Sequence, residues 1–384
     1  MHRYQDCVTY INAHWTNLRC FVPKDKGMHI GLPNQFIAPS MSDGIFDQDQ
    51  FYWDSYFIIL GLISSGKVKL AKGMVDNLVY LYQRFGVIPG RNQYHDLARS
   101  QPPFLTQMVA EVFSKTQDRL WLKRCLKTAE AELNNYWMNQ FHLQYKGLSR
   151  YCDSLITNAS SEDESGWDFT SRFHEQCLDF LPLDLNSLLF KYELDLAGFY
   201  SMLKNSVKQE LYATRAKQRK KNMNHLLWNK KSGFFFDYNY RTRSQSKFFS
   251  LAGYYPLWAG WATEEQAAMA VSKLRIFEYT GGLANTQKHL LFKSFKQWDY
   301  PNGWPNQQWV VIKGLLNYGY RADAERLAIK WLNTNKRIYK KTGMFWEKYN
   351  VVKTGIGQAD RYPTQTGFGW TNGVFLRLVA EFSS

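Results

Sequence analysis

Apolar residues recur at every third and fourth position through most of this chain, the period of helices with one buried face. Val8, Ile11, Trp15 and Leu18 place an opening helix within residues 1–22. Residues 23–50 are rich in Gly, Pro and Asp and read as loop. Asp54 to Ser65 reads as a second helix. Lys67 to Phe85 sets Met74, Val75, Leu78, Val79 and Tyr82 at helical spacing, with Gly86 as its stop. The pattern returns over Pro103–Lys115, Arg119–Phe141 and Leu185–Tyr200, and in a basic stretch running to Trp228. Ser232–Tyr240 reads as a short hairpin, and Thr263 as the N-cap of a helix that runs to Phe277. Pro305–Tyr318 and Ala322–Asn333 form a further pair, and Phe368 opens the closing segment.

Roughly a dozen helices therefore alternate with connections that are either short or long. Helix, long aromatic and acidic loop, helix is the recurring unit, without an exact sequence repeat. No linker-like segment divides the chain, so one all-α domain over 1–384 is expected. An (α/α)6 toroid fits best, because it alternates inner and outer helices and gathers its long loops at one end.

Composition narrows the function. A chain of 384 residues with 45% hydrophobic content supports a large core. The aromatic share is 17%, with 14 Trp, and so much Trp beside polar residues suits carbohydrate. The net charge of +15 raises nucleic acid as a partner. Yet the basic residues are scattered, and the densest group, Arg215 to Lys221, reads as the solvated face of a helix. No nucleic-acid partner is expected. The five cysteines are widely spaced and form no CxxC, so neither a disulfide framework nor a zinc site is indicated. No apolar run reaches the length of a membrane span and the start lacks a signal-peptide core. A cytoplasmic monomer with no membrane partner is expected, periplasmic or secreted if a leader has been removed.

The chemistry sits in the long loops. Glu164 to Phe173 reads Glu-Ser-Gly-Trp-Asp-Phe-Thr-Ser-Arg-Phe. Gly166 permits close approach of a ligand, and Trp167 offers a flat face to a sugar ring. Asp168 beside that ring is partly desolvated, which raises a carboxyl pKa and suits a general acid. A helix start capped by Ser165 or Asp168 is the structural alternative. Further acidic and aromatic stretches are Phe51-Tyr-Trp-Asp54, Gln297-Trp-Asp-Tyr-Pro-Asn-Gly-Trp304, Met344-Phe-Trp-Glu-Lys-Tyr349 and Gly367-Phe-Gly-Trp-Thr-Asn-Gly373. Arg99-Ser-Gln-Pro-Pro103 adds an arginine and an amide in a long loop.

Taken together and in order, these motifs resemble the trehalases of glycoside hydrolase family 37, from about residue 30 to the end. The resemblance implies an (α/α)6 barrel, no metal or cofactor, and hydrolysis of an α-glucoside with inversion. It makes Asp168 the general acid and Glu347 the general base. Trp53, Asp54, Arg99, Gln101, Trp298 and Asp299 would hold the sugar, with Trp167 and Arg172 from the acid segment beside them. The pattern departs from the family at Phe46, where a sugar-binding arginine is usual, at Gly90 in place of an asparagine, and at Arg361-Tyr-Pro363, where Glu-Tyr-Pro is usual. Arg361 in the pocket would suit a carboxylate or phosphate on the substrate. Trehalose is the expected substrate. The alternatives are another α-glucoside such as glucosylglycerate, a catalytically inactive sugar-binding homologue, and a basic nucleic-acid binder.

Overall fold

The computed structural model describes residues 2–42, 44–289 and 295–382. Thirteen α-helices occur among them: α1 Gln5–Leu18, α2 Tyr52–Ser64, α3 Val68–Phe85, α4 Leu105–Thr116, α5 Arg119–Glu132, α6 Asn158–Glu164, α7 Leu183–Met202, α8 Ser206–Leu227, α9 Tyr255–Ala259, α10 Glu264–Val271, α11 Pro305–Asn317, α12 Arg321–Thr342 and α13 Gly369–Phe382. Six of them close into a ring in which each packs on the next: α2, α4, α7, α9, α11, α13, and back to α2. The chain is an (α/α)6 barrel, as its periodicity and long loops lead one to expect.

Sequence sorts the helices between the two layers. From Tyr52 to Ile63 every residue of α2 is buried, so it has no wet face and belongs inside. By contrast, α12 buries Ala324, Leu327, Ala328, Trp331 and Leu332 on one stripe and leaves its lysines in water, which suits the outer layer. α8 is also outer, but its basic face is not wholly solvated. Arg219 turns inward and pairs with Glu193 through Nε at 3.0 Å and Nη2 at 2.9 Å.

Several boundaries differ from the periodic reading. α5 stops at Glu132, and Leu133–Trp137 widens into a π-helical turn. The buried Glu132 carboxylate accepts from Tyr52, Tyr192 and the Trp137 indole, and so fixes that turn. Thr263 does cap α10, reciprocally with Gln266, but the helix ends at Val271 and a 3₁₀ turn covers Leu274–Ile276. α12 runs nine residues beyond Asn333, to Thr342. Neither Ser165 nor Asp168 starts a helix. α6 begins at the Thr157 cap and ends there instead.

Strands are two- and three-residue antiparallel ladders in the loops. One ladder matters for the site: Asn302–Gly303, Tyr349–Asn350 and Gly355–Ile356 pair with Gly303 opposite Tyr349 and Tyr349 opposite Ile356. It ties the segment after Trp298 to the segment after Glu347. Connections from inner to outer helices are short, such as Ser65–Lys67 and Leu203–Asn205. Those from outer to inner helices are long and meet at the other end of the barrel. No helix among the described residues is long and apolar enough to cross a membrane. The five cysteines are buried and unpaired.

Candidate active site

The long loops enclose a cavity of about 300 Å³ at that end. Phe46, Trp53, Asp54, Arg99, Gln101, Asp163, Asp168, Trp298, Glu347, Arg361 and Tyr362 are among its lining residues. They come from the loops before α2, α4, α7, α11 and α13, and from the first turn of α2. Residues far apart in sequence therefore share one wall because the ring closes.

Asp168 stands half-buried in this wall. Its Oδ2 accepts from Gln297 Nε2 at 2.9 Å and its Oδ1 from the Trp298 indole at 3.2 Å. Burial, and next the nearby Asp163 carboxylate, push its pKa up to about 7, against the pull of Arg361. A carboxyl poised there is about half protonated in neutral solution and can give that proton away. The segment that presents it is strained: Phe169 sits at φ 71°, in the left-handed region. Glu162 Oε1 holds it by accepting from the Phe169 and Thr170 amides, both at 2.9 Å. Gly166, at φ 69°, is needed for a further reason, since a Cβ there would lie 2.6 Å from the Trp53 ring.

Glu347 is buried on the opposite segment. Lys348 Nζ donates to its Oε2 at 2.6 Å and the Tyr362 hydroxyl to its Oε1 at 2.8 Å. Two donors fix the carboxylate's orientation and leave lone pairs for one more donor. The Lys348 ammonium is itself buried, with its charge 4.7 Å from the centre of the Trp304 ring and 5.1 Å from that of Tyr362. Asp54 is a further carboxyl of the cavity. Burial first, then Glu347 and Asp168, hold its pKa well above the usual carboxylate range.

At the rim, Asp163 bridges two arginines. Its Oδ2 accepts from Arg99 Nη1 at 2.9 Å and its Oδ1 from Arg361 Nη1 at 2.8 Å. Arg361 pairs with Asp163 and not with its neighbour Asp360. It lies 3.7 Å from Asp168 Oδ2, with its side chain 44% exposed.

Three sequence-predicted residues are not on the cavity wall. Arg172 is fully buried, and its guanidinium is taken up by Asp184 and Asp237 through four hydrogen bonds of 2.6–2.9 Å. With its fork filled by carboxylates it has nothing to offer a sugar. Asp299 accepts from Thr170 Oγ1 and the Ser171 amide, so it shapes the Asp168 loop from behind. Trp167 packs behind Trp298 at 5.4 Å and under Arg172 at 4.9 Å, where no ring of a ligand can reach it.

The comparisons decide what this pocket belongs to. The family model described as Trehalase matches residues 2–164 and 153–383. A periplasmic trehalase of Xanthomonas oryzae pv. oryzae is 33% identical over 91% of this chain and 68% of its own length. A probable trehalase of Oryza sativa subsp. japonica is 30% identical over 93% of this chain and 74% of its own. The neutral trehalase of Saccharomyces cerevisiae superposes with a TM-score of 0.82 at 27% identity, over 98% of this chain and 80% of that one.

The chain belongs to the trehalase family.

It is a glycoside hydrolase, and its motifs account for the cavity only in part. Of the eleven residues expected at the site, Trp53, Asp54, Arg99, Gln101, Asp168, Trp298, Glu347 and Arg361 line it. Gln297, Lys348 and Tyr362, which hold the two carboxyls, were not singled out, though each sits next to a residue that was. Nothing in the sequence pointed to Glu162 and Asp163, which lie in a polar run without periodicity. Phe46 stands on the wall as an aromatic surface, edge-on to Tyr362 at 5.4 Å and to Phe51 at 5.5 Å. In this trehalase-family pocket the wall at Phe46 therefore offers apolar contact.

Proposed function

We propose that the chain hydrolyses trehalose to two glucose molecules by a single displacement at the anomeric carbon. The observation that carries this reading is the pair of carboxyls in one cavity, held in opposite ways. Asp168 is pushed up to about 7 in its half-buried pocket, while Glu347 is gripped by the Lys348 ammonium and the Tyr362 hydroxyl. In the proposed reaction Asp168 gives its proton to the bridging oxygen as the C1–O bond breaks. Glu347 takes a proton from the water that attacks C1 from the other face. Glucose leaves from one side and a β-glucose forms on the other. Asp168 ends ionised and Glu347 protonated, and exchange with solvent restores both.

Trp53 and Trp298 would supply apolar faces to the sugar, and Asp54, Arg99 and Gln101 its hydroxyl partners. The scheme runs on these side chains and needs no cofactor. Five buried thiols suit a reducing compartment, which supports a cytoplasmic location.

A second reading, an α-glucoside with an anionic aglycone such as glucosylglycerate, draws on Arg361 at the rim. Its charge already faces Asp163 at 2.8 Å, which favours the neutral disaccharide. Proton NMR of fresh reactions tests both readings. Trehalose should be consumed in preference to glucosylglycerate, with α- and β-glucose in equal amounts in the first spectra, since the leaving glucose keeps its α configuration and only the attacked one is inverted. α-Glucose alone at the earliest times, or the opposite substrate preference, would overturn the scheme.

A further inference from the structure

The end of the barrel opposite the sugar cavity has a character of its own. There the short connections bring together the start of α5, the end of α7 and the start of α8. A cleft of about 600 Å³ opens between them, with Lys123, Lys127, Lys204 and Lys208 in its walls. Lys208 is neutralised by Glu130 at 2.6 Å. Among the described residues Lys123, Lys127 and Lys204 have no ion-pair partner. Of the acidic groups on these two helices, Glu130 is taken by Lys208 and Tyr212, Asp118 caps α5 by accepting from the Trp121 amide, and Glu210 on α8 is exposed.

Large apolar side chains stand out around this cleft. Leu120 is 79% exposed and Val207 78% exposed, and Met202 and Leu211 are each half exposed. Their spacing puts them with the lysines. Leu120, Lys123 and Lys127 lie at i, i+3 and i+7 of α5, and Val207 and Leu211 at i and i+4 of α8, so each set shares one helix face. Isolated apolar residues on a surface are ordinary. A group of protruding aliphatic chains ringed by uncompensated ammonium groups is different. It matches a bilayer interface, where apolar tips pass the headgroups and lysines remain level with the phosphates. A nucleic acid would gain nothing from Leu120, Val207 and Leu211, since aliphatic chains offer no stacking face to bases.

We propose that this end of the barrel is a peripheral docking surface for an anionic lipid bilayer. Attachment here turns the sugar cavity away from the membrane and leaves it open to a soluble substrate. It needs no spanning helix. The net charge of +15 gives long-range attraction to such a surface.

Co-sedimentation with vesicles tests this. The protein should bind vesicles of equal parts phosphatidylglycerol and phosphatidylcholine, ignore pure phosphatidylcholine, and release at high salt. Each uncompensated lysine strengthens attachment about five-fold. Lys123→Glu with Lys204→Glu should therefore weaken it by at least ~25-fold. Val207→Ser with Leu211→Ser should weaken it about ten-fold, a loss that charge attraction alone would not give. All variants should hydrolyse soluble substrate at the unaltered rate, which shows that they fold. Failure to bind the anionic vesicles, or binding that neither pair of substitutions reduces, would overturn the proposal. So would binding insensitive to the serine substitutions and matched by double-stranded RNA, which would mark a general polyanion surface.

Discussion

At the scale of single residues, the two carboxyls of the cavity make separate predictions. Asp168→Asn keeps shape and removes the transferable proton, so kcat should fall by the ~10²–10⁴ typical of acid–base catalysis. In the unaltered protein the acid is lost as Asp168 ionises, so kcat/KM should decline as pH rises above about 7. Stability gives an independent readout with a definite sign. Asp168 stands at about 7 when folded against an ordinary 3.8, so the native state binds the extra proton between these values. Stability contributed by this group is complete below 3.8 and declines as pH rises through about 7. Asparagine carries no such dependence, and Asp168→Asn should raise Tm in alkaline solution while leaving it unchanged in acid. A Tm shift that ignores pH would sever Asp168 from this account. Glu347→Gln should abolish turnover and keep affinity for trehalose in calorimetry. Loss of binding together with turnover would make Glu347 a structural group. Both carboxyls were legible in sequence because each lies in a motif. Arg172, Asp299 and Trp167 lie in the same motifs but off the cavity wall. A linear string gives neighbours but not the side of the loop each faces, and these three face the protein.

At the scale of elements, α6 shows what periodicity does not reveal. It is seven residues long, too short to display an apolar stripe. Its last three residues nevertheless organise the cavity, each in a different direction. Glu162 holds the amides of the Asp168 loop, Asp163 joins Arg99 to Arg361, and buried Glu164 accepts from Tyr136 at 2.5 Å and from the Cys152 amide at 2.7 Å. Such duties depend on where the neighbouring loops arrive, which only the closed barrel determines. The long helices were readable for the opposite reason. Their stripes repeat over several turns, as in α3, where Met74, Val75, Leu78 and Val79 are all buried. Glu162→Ala tests the role of α6. It leaves the buried Thr170 amide and the half-buried Phe169 amide without an acceptor, which costs about 1–3 kcal/mol for an unsatisfied buried group. The strained Phe169 turn should then relax and Asp168 drift. A lower Tm and a reduced kcat at nearly constant KM are expected. A change confined to KM would place Glu162 in sugar binding instead.

At the scale of the whole molecule, the fold depends on how the last inner helix meets the first. α13 lies against α2 at a pair of glycines, Gly373 and Gly61, where the two backbones come closer than any side chain permits. A methyl at Gly373 would overlap the Phe57 carbonyl oxygen. This contact joins residues near the start of the chain to its last helix, and through it the first turn of α2 with Asp54 and the loop bearing Glu347 reach one cavity. The sequence showed Gly-Phe-Gly-Trp-Thr-Asn-Gly as a motif, but the reason for its last glycine is the approach of a helix some three hundred residues earlier. We propose on this ground that the whole chain is one cooperative unit. Gly373→Ala should then strain the ring closure and cost about 1–3 kcal/mol, the usual range for overpacking a filled core. Because the ring has no free end, the loss should not stay local. Calorimetry should show one transition in both proteins, displaced to lower temperature in the variant, with activity lost along the same curve. Two separable transitions, with only one moved by Gly373→Ala, would divide the chain into independent parts and refute the single unit.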